Sequence, residues 1–502
     1  MITQYQATRY DAASLRVGIV HLGLGAFMRA HLAVYTEQVL NRRPGDWGIC
    51  AANIRSNAGI VAVLNKQHGC YHTAEYRNSA QATLRQVSCL REAVFAASAE
   101  QSRALIERLQ DPLIKIVTLT VTEKGYYLNP ANGQLLRDHE QIQHDLAQPQ
   151  APATAIGILV AALAERQRRG IAAPTLLSCD NMPNNGKTLK AALLQFAALV
   201  QPALVPWIEK EVSCPCSMVD RIVPAMTPDK LEEVNVRLAL NGVGYDQAAV
   251  ACEEFSQWVI EDEFPQGRPQ WELAGAQFVA DVAPFETMKL RLLNGSHSLL
   301  AYLGSLGKYE YVSDCMNDAD YVALIRHYMW REAMPTLTMP QGVDLSAYAE
   351  SLLQRFANDS LRHRTRQIAM DGSMKIPQRW LQGIQHQLDH GVTPVVGALG
   401  LATWLRYLTG LDEDGFGYKV DDPQATALQA VSSQHADIDA RVRALLQTPV
   451  FAGTRVLEHP AFVSAITAYY RQLLQHGARA TVADVVAKLE AATSTDTSAS
   501  PG

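Results

Sequence analysis

A lysine, a carboxylate, an amide and an imidazole fall close together in one predicted helix, in the segment from Phe285 to His297. At about 100° per residue, with Lys289 at zero, Glu286 falls at about +60°, His297 at about +80° and Asn294 at about +140°. Leucines cover the other faces, so the polar groups share one arc. Metal-independent oxidation of an alcohol needs such a set, because a base must take the hydroxyl proton and N–H donors must stabilise the oxygen.

Lys289 is the candidate general base of this set. A lysine can act as a base when burial lowers its pKa from about 10.4 toward about 7–8. The same lowered pKa would suit a Schiff-base nucleophile, and a surface helix with solvated Lys289 and Glu286 fits the pattern equally well. The sequence alone leaves these alternatives open.

Two more polar sites follow apolar runs in the first half of the chain. Asn181 comes just after the predicted strand 175–178, where loops of a parallel sheet present functional groups, although an Asx turn is also typical there. Asp220 precedes Arg221 inside an apolar run, and this dipeptide also fits a structural ion pair.

A glycine-rich turn, Gly23-Leu24-Gly25, joins a predicted buried strand to a predicted helix. Its glycines allow close backbone approach, and the helix N-terminus offers N–H groups to a pyrophosphate. The third small residue of the usual dinucleotide fingerprint is replaced by Met28. The second strand ends without an acidic residue, and Arg55 there could stack on adenine, meet a 2′-phosphate or be solvated. NAD is therefore only slightly favoured over NADP.

The order of predicted elements indicates an α/β fold with a Rossmann-type parallel sheet, followed by a mainly helical domain. Apolar strands at 17–22, 47–54, 114–122 and 175–178 alternate with helices, including 155–169. From residue 285 the pattern is helical, with helices predicted at 286–306, 319–332, 345–356, 378–390 and 397–408. We therefore predict a dinucleotide-binding domain over 1–284, a helical domain over 285–490 that carries the catalytic and substrate residues, and an unstructured tail over 491–502.

Composition narrows the class of protein. The 502-residue chain is 48% hydrophobic and 19% charged, with a net charge of −6, which argues against a nucleic-acid surface. Its apolar runs are too short to span a bilayer, its N-terminus lacks a signal-peptide pattern, and its eight cysteines predict reduced thiols without a metal site. We expect a cytoplasmic monomer or homodimer that acts on a small molecule.

Several segments in one order resemble the polyol-specific long-chain dehydrogenases, the family of mannitol 2-dehydrogenase, arabinitol dehydrogenase and the mannonate oxidoreductases (fructuronate reductases). They are IVHLGLGAF (19–27) with RAH (29–31), TVTEKGY (120–126), SCDNM (178–182), MVDRIVP (218–224), QWVIED (257–262) and KLRLLNGSH (289–297). The resemblance implies a metal-independent oxidoreductase that converts a secondary alcohol of a polyol or aldonate to a ketone.

The resemblance also implies roles for individual residues. Lys289 matches the general base, Asn181 and Asn294 the oxyanion amides, His297 the substrate-orienting histidine and Glu286 a proton relay. Residues that match substrate contacts or could supply them are Asp220, Lys375 and Arg366. Residues expected to border the cofactor are Gly23, Gly25, Ala26, Phe27, Arg55, Thr120, Thr122 and Glu123.

The resemblance points to two different branches of the family, and therefore to two classes of substrate. The run 361–375 resembles the mannonate branch, including Gln367 where some mannitol enzymes carry Arg, whereas 52–55 and 125–128 resemble the arabinitol branch. The main hypothesis is thus a reaction of the mannitol/fructose or mannonate/fructuronate type, with an arabinitol-type reaction as the alternative. A non-catalytic dinucleotide sensor is the competing hypothesis from another class.

Overall fold

A computed structural model describes residues 2–129, 132–360 and 362–497. The chain forms two compact units, Met1–Ala283 and Pro284–Gly502. This division falls one residue before the boundary drawn from the sequence.

The first unit contains twelve strands among its described residues. In chain order they are β1 (Ile2–Gln6), β2 (Val17–Leu22), β3 (Gly48–Asn53), β4 (Tyr71–Asn78), β5 (Gln81–Val87), β6 (Leu90–Phe95), β7 (Ile116–Leu119), β8 (Thr175–Ser178), β9 (Ser217–Asp220), β10 (Val250–Glu253), β11 (Gln257–Glu261) and β12 (Gln277–Val279). Its α-helices are Ala26–Ala30, Leu32–Arg42, Ala58–Lys66, Ala99–Leu109, Glu140–Ala147, Ala155–Arg169, Asn185–Val200, Val205–Glu211 and Pro228–Leu240.

The central sheet of this unit is fully parallel, in the order β6-β3-β2-β7-β8. Ile19 and Val20 point to opposite faces, and each belongs to a different hydrophobic cluster, because side chains alternate along a strand. Both faces are therefore buried, as the apolar composition of the strands indicates. The predicted fold class, a Rossmann-type parallel sheet followed by a helical unit, is confirmed.

Two smaller sheets were not predicted from the sequence. One has the order β1-β5-β4-β10 and the other β12-β11-β9, and each mixes parallel and antiparallel pairs. Several of these strands carry charged or amide side chains among the apolar ones, as in Tyr71–Asn78, so their hydrophobic pattern is weak. Strand pairing, which includes the hairpin of β4 and β5, determines them more than hydrophobic pattern does.

The second unit is helical. Its α-helices are Ala283–Met288 (which begins at the division), Gly295–Leu306, Val312–Cys315, Ala319–His327, Leu345–Phe356, Thr365–Ile368, Gly372–Ile376, Gln382–Asp389, Val395–Tyr407, Ala425–Ser433, Ile438–Leu446 and Pro460–Thr497. The last of these is kinked at Gly477, whose φ is +77°. Three of the predicted helices were expected to be regular but contain π-helical segments, at Lys289–Asn294, Tyr328–Ala333 and Pro377–Leu381.

The C-terminus also differs from its prediction. The final helix includes residues 491–497, where an unstructured tail was predicted from 491 onward. Ala491 and Ala492 are strong helix formers, so the helix continues through them. Residues 498–502 of the predicted tail lie outside the described residues.

Candidate active site

The glycine turn lies at the topological switch point of the parallel sheet. β3 and β6 extend from β2 on one side, and β7 and β8 extend on the other, so the loops after β2 and β7 diverge. Open α/β sheets bind their ligands at this point, beyond the carboxyl ends of the strands. Gly23 follows β2, and Thr120, Thr122 and Glu123 follow β7, so the fold brings these predicted cofactor residues together.

Gly23 has no possible substitute in this turn. Its φ is +108°, and a Cβ atom there would lie 2.2 Å from the carbonyl oxygen of Thr120. At Gly25, by contrast, an added Cβ would approach only the carbonyl of Gly23, at 3.9 Å. Gly25 immediately precedes the helix Ala26–Ala30, so its surroundings leave room for a phosphate group beside the backbone.

A buried histidine, which the sequence did not single out, fixes this turn. The His21 Nδ1 atom lies 2.7 Å from Thr118 Oγ1, and its Nε2 atom lies 2.8 Å from Thr120 Oγ1 and 3.0 Å from the Gly23 carbonyl. Thr120 Oγ1 also donates to the Gly23 carbonyl, at 2.8 Å. Burial lowers the pKa of His21 to about 3, so the ring stays neutral. In the sequence, His21 lies among the valine and leucine residues of an ordinary apolar strand. That pattern gives no sign of its role.

The loop after β7 is held by Asp180. Its carboxylate accepts hydrogen bonds from the Thr122 N–H at 2.7 Å, the Val121 N–H at 3.3 Å and the Tyr126 hydroxyl at 2.6 Å. Burial raises the pKa of Asp180, while these donors oppose the rise. Thr122 is held with a φ of +65°, so the loop has an unusual conformation that the carboxylate stabilises.

Asn181 follows Asp180 directly and is exposed at the carboxyl end of β8. A second asparagine, Asn185, links this end to β9. Its Nδ2 donates to the carbonyls of Asp180 at 3.0 Å and Ser217 at 2.7 Å, and its Oδ1 accepts from the Ser217 N–H at 2.9 Å. Asp220, the last residue of β9, is buried. Asn185 thus fixes the backbone that carries both predicted residues.

The remaining predicted cofactor residues border the same end of the sheet. Phe27 stacks on His31 with 4.9 Å between ring centroids, in the stretch that follows Ala26. Arg55 is exposed just beyond β3. Glu123 is also exposed, at the start of a 3-10 turn after Thr122. Open glycine backbone, an exposed cation and an aromatic ring together fit a dinucleotide.

The lysine helix of the second unit contains a π turn. The Gly295 N–H bonds to the carbonyl of Leu290, five residues back, as π-helical geometry requires. One extra residue per turn rotates all later side chains by about −100°, so Asn294 moves to about +40° and His297 to about −20° relative to Lys289. The regular-helix angles of the sequence analysis are therefore wrong, and the polar arc is narrower than they implied.

Lys289 is buried, with 7% of its surface exposed, and so is His297, with 8%. Glu286, one turn earlier, and Asn294 are partly exposed. Lys289 is therefore not a solvated surface lysine. Single π turns are frequent at functional sites, where they re-aim side chains.

His297 packs between Phe356 and His363, with ring centroids 4.6 Å and 5.5 Å away. Burial is the main cause that lowers the pKa of His297 well below its usual value. His363 and the positive charges of Arg379 and Arg355 lower it further. The imidazole is therefore neutral near pH 7, and its surroundings carry positive potential.

The two predicted substrate residues from the run 361–375 differ in placement. The Lys375 Nζ donates to the carbonyls of Met370 at 2.6 Å and Ile368 at 3.4 Å. Burial and the charge of Arg379 lower the pKa of Lys375. Arg366 is exposed and lies over the Tyr418 ring, 4.7 Å from its centroid. Lys375 therefore lies near the charge of Arg379, whereas Arg366 packs on the ring of Tyr418.

Arg379, Trp380 and Tyr328 escaped sequence reasoning. Trp380 donates from Nε1 to the carbonyl of Gly295 at 3.0 Å, and Tyr328 donates to the carbonyl of Arg291 at 3.0 Å. These residues lie far from Lys289 in the chain and form no motif with it. No local signal could have identified them.

The described residues contain no group of three or more His, Cys, Asp or Glu side chains placed to hold a metal ion. All eight cysteines fall within those residues, and each is a thiol. None of the helices in the described ranges has the length and apolarity needed to cross a membrane.

Comparisons with known proteins show the family of the chain. Residues 17–273 match the mannitol dehydrogenase Rossmann domain, and residues 281–474 match the mannitol dehydrogenase C-terminal domain. Both matches are to domains of a dehydrogenase, so the chain is an oxidoreductase by class. The two domain matches show, more particularly, that the chain belongs to the mannitol dehydrogenase family, so the resemblance drawn from the sequence is confirmed.

Individual relatives match over nearly their whole length. The D-mannonate oxidoreductase of Escherichia coli K12 is 46% identical over 476 residues, covering 94% of this chain and 96% of the relative. Mannitol dehydrogenase 2 of Saccharomyces cerevisiae is 36% identical, covering 95% and 94%. The solved ternary complex of Pseudomonas fluorescens mannitol 2-dehydrogenase with NAD and D-mannitol has a TM-score of 0.81 and 37% identity, covering 97% of each chain.

Proposed function

We propose that the protein catalyses the reversible, NAD-dependent oxidation of a secondary alcohol of an open-chain aldonate, of the D-mannonate/D-fructuronate type, with Lys289 as general base. The observation that carries this proposal is the buried amine of Lys289 on a π turn that also carries Asn294, one turn before His297. An amine, an amide and an imidazole on one arc of a helix supply the base and the N–H donors that metal-independent oxidation of an alcohol needs.

The glycine turn of Gly23 and Gly25 and the loop after β7 would hold NAD, which would supply the acceptor for the hydride of the alcohol carbon. Lys289 takes the hydroxyl proton, and the amides of Asn181 and Asn294 donate to the oxygen as its charge develops. His297 is neutral, so it can both donate to one substrate hydroxyl and accept from another. Glu286 is half-buried on the preceding turn and relays the proton between Lys289 and water.

An aldonate is favoured over a neutral polyol by the charges around His297. Arg379 and Arg355 contribute positive potential there, and Lys375 lies close enough to Arg379 for its pKa to fall. A carboxylate would be attracted to this region, because cationic hydrogen bonds to carboxylates are strong. The 46% identity to a D-mannonate oxidoreductase supports the same choice, as does the resemblance of the run 361–375 to the mannonate branch.

Substrate class is tested by measuring kcat/KM for D-mannonate, D-altronate, D-mannitol and D-arabinitol, each with NAD and with NADP. A charge-assisted contact contributes about 1.5–3 kcal/mol, so we expect an aldonate to exceed the polyols by about 10- to 100-fold. Equal or better turnover of D-mannitol or D-arabinitol would assign the neutral class instead. A preference for NADP would point to Arg55 as a contact of the 2′-phosphate.

The role of Lys289 is tested separately. Lys289→Ala should lower kcat by about 10²- to 10⁴-fold, with dinucleotide affinity nearly unchanged, because the base acts only in the chemical step. Lys488→Ala, which removes an exposed lysine paired with Asp484, serves as the control. Full turnover by Lys289→Ala would remove this lysine from the mechanism, and absence of turnover by the unaltered protein on every substrate would favour a dinucleotide sensor.

A further inference from the structure

The π turn at Lys289–Asn294 diverts one hydrogen bond of the helix. In a regular helix the Gly295 N–H would donate to Arg291, four residues back. Here that N–H donates to the carbonyls of Leu290 and Leu292 instead. The Arg291 carbonyl has lost its usual donor, and a buried carbonyl without a donor destabilises the fold.

The hydroxyl of Tyr328 replaces the missing donor. Tyr328 is buried, and its hydroxyl donates to the Arg291 carbonyl at 3.0 Å. Burial raises the pKa of Tyr328, so the phenol keeps its proton and remains a donor. A Cβ atom added at Gly295 would lie 2.3 Å from this hydroxyl, so the tyrosine occupies the space that the glycine leaves open.

Two more side chains bind carbonyls at the end of the same turn. The Arg379 Nη1 donates to Ser298 Oγ at 2.8 Å and to the Asn294 carbonyl at 3.4 Å. The Trp380 Nε1 donates to the Gly295 carbonyl at 3.0 Å. Tyr328 and the Arg379-Trp380 pair belong to the other two π-helical segments of this unit. Side chains of those two segments therefore hold backbone carbonyls of the lysine helix by hydrogen bonds.

We propose that Tyr328 is a positioning residue that holds the lysine helix in its π register, with Lys289, Asn294 and His297 on one narrow arc. This inference rests on the proposed function, since it takes Lys289 and Asn294 as reacting groups. Without the hydroxyl, the regular register regains its Gly295-to-Arg291 bond. A return to that register rotates Asn294 and His297 by about 100° away from Lys289.

The test is Tyr328→Phe, which removes only the hydroxyl. We expect kcat to fall by about tenfold, in line with one net hydrogen bond, with the KM for NAD unchanged and the pH profile of kcat displaced. The control is Tyr321→Phe. Its buried hydroxyl donates to the Leu303 carbonyl at 3.1 Å, in the regular part of the same helix, and that carbonyl also accepts the Gly307 N–H.

Comparison of the two variants distinguishes a positioning role of Tyr328 from a general loss of stability in the helical unit. A loss of activity confined to Tyr328→Phe supports the proposal. Equal activity in both variants, or equal losses in both, overturns it. Lys289→Ala is measured alongside: full turnover in that variant refutes the proposed function, whereas its inactivation together with normal Tyr328→Phe refutes only the positioning role.

A second variant tests whether the effect of Tyr328→Phe arises from the contact between Tyr328 and Gly295. Gly295→Ala places a methyl group against the Tyr328 hydroxyl, so it should displace the phenol and also lower kcat. Because both changes act on one contact, the double variant should lose no more than about the larger single loss. Multiplied losses would show independent effects and would overturn the proposal.

Discussion

Glu332 offers a quantitative test of the energetics of the helical unit. Its carboxylate is buried and accepts the N–H groups of Val396 at 2.6 Å and Gly397 at 2.8 Å, at the start of the helix Val395–Tyr407. Burial raises the pKa of Glu332 from 4.5 to about 7, although these donors oppose the rise. The folded state therefore binds this proton more tightly than the unfolded state does.

The sign of the effect follows from linkage. Between the unfolded pKa of 4.5 and the folded pKa of about 7, the folded state holds more protons, so stability falls as pH rises. The contribution is fully present below the unfolded pKa and is lost above the folded one. From pH 5 to pH 8 this one carboxyl should lower the free energy of unfolding by about 2.5 kcal/mol.

The assay is urea unfolding of the unaltered protein and of Glu332→Gln at pH 5 and pH 8. The change in stability with pH should be smaller in Glu332→Gln by about 2.5 kcal/mol, whatever the absolute cost of the substitution. Glu310→Gln, which alters an exposed carboxylate paired with Arg364, should leave the change with pH as it is. Identical pH dependence in Glu332→Gln and the unaltered protein would show that Glu332 does not titrate in this range.

Three other predictions concern the first unit and the chemistry. Gly23→Ala should abolish dinucleotide binding, measured by fluorescence titration, since its Cβ would lie 2.2 Å from the Thr120 carbonyl at a φ of +108°; retained affinity would refute the assigned turn. Asp180→Asn should raise the KM for NAD several-fold, because an NH2 donor replaces one of the two oxygens that accept the Thr122 and Val121 N–H groups; an unchanged KM would separate that loop from the cofactor. A chelator should leave turnover unchanged, because a lysine base needs no metal; inhibition that added metal reverses would contradict this.

The sequence predicted the structure best where a local residue pattern by itself specifies an element. The apolar run 17–22 followed by two glycines predicted a buried strand and a phosphate-binding turn, and the structure has that strand, with Gly23 at a positive φ. The helix Ala155–Arg169 was predicted at its observed limits, because its apolar residues repeat at helical spacing and Gly170 ends it. Lys289, Asn294 and His297 were predicted to form one catalytic set because unusual polar residue types share one segment.

Only the tertiary structure decided how those side chains are aimed. The run 289–294 consists of ordinary helix formers, so local propensity predicts a regular helix. The π turn exists because Tyr328, Trp380 and Arg379, remote in the chain, supply donors to its carbonyls. The His21 bonds that fix the glycine turn likewise depend on threonines nearly a hundred residues away. A sequence pattern reports which groups are present on an element, whereas long-range hydrogen bonds set the register that brings them together.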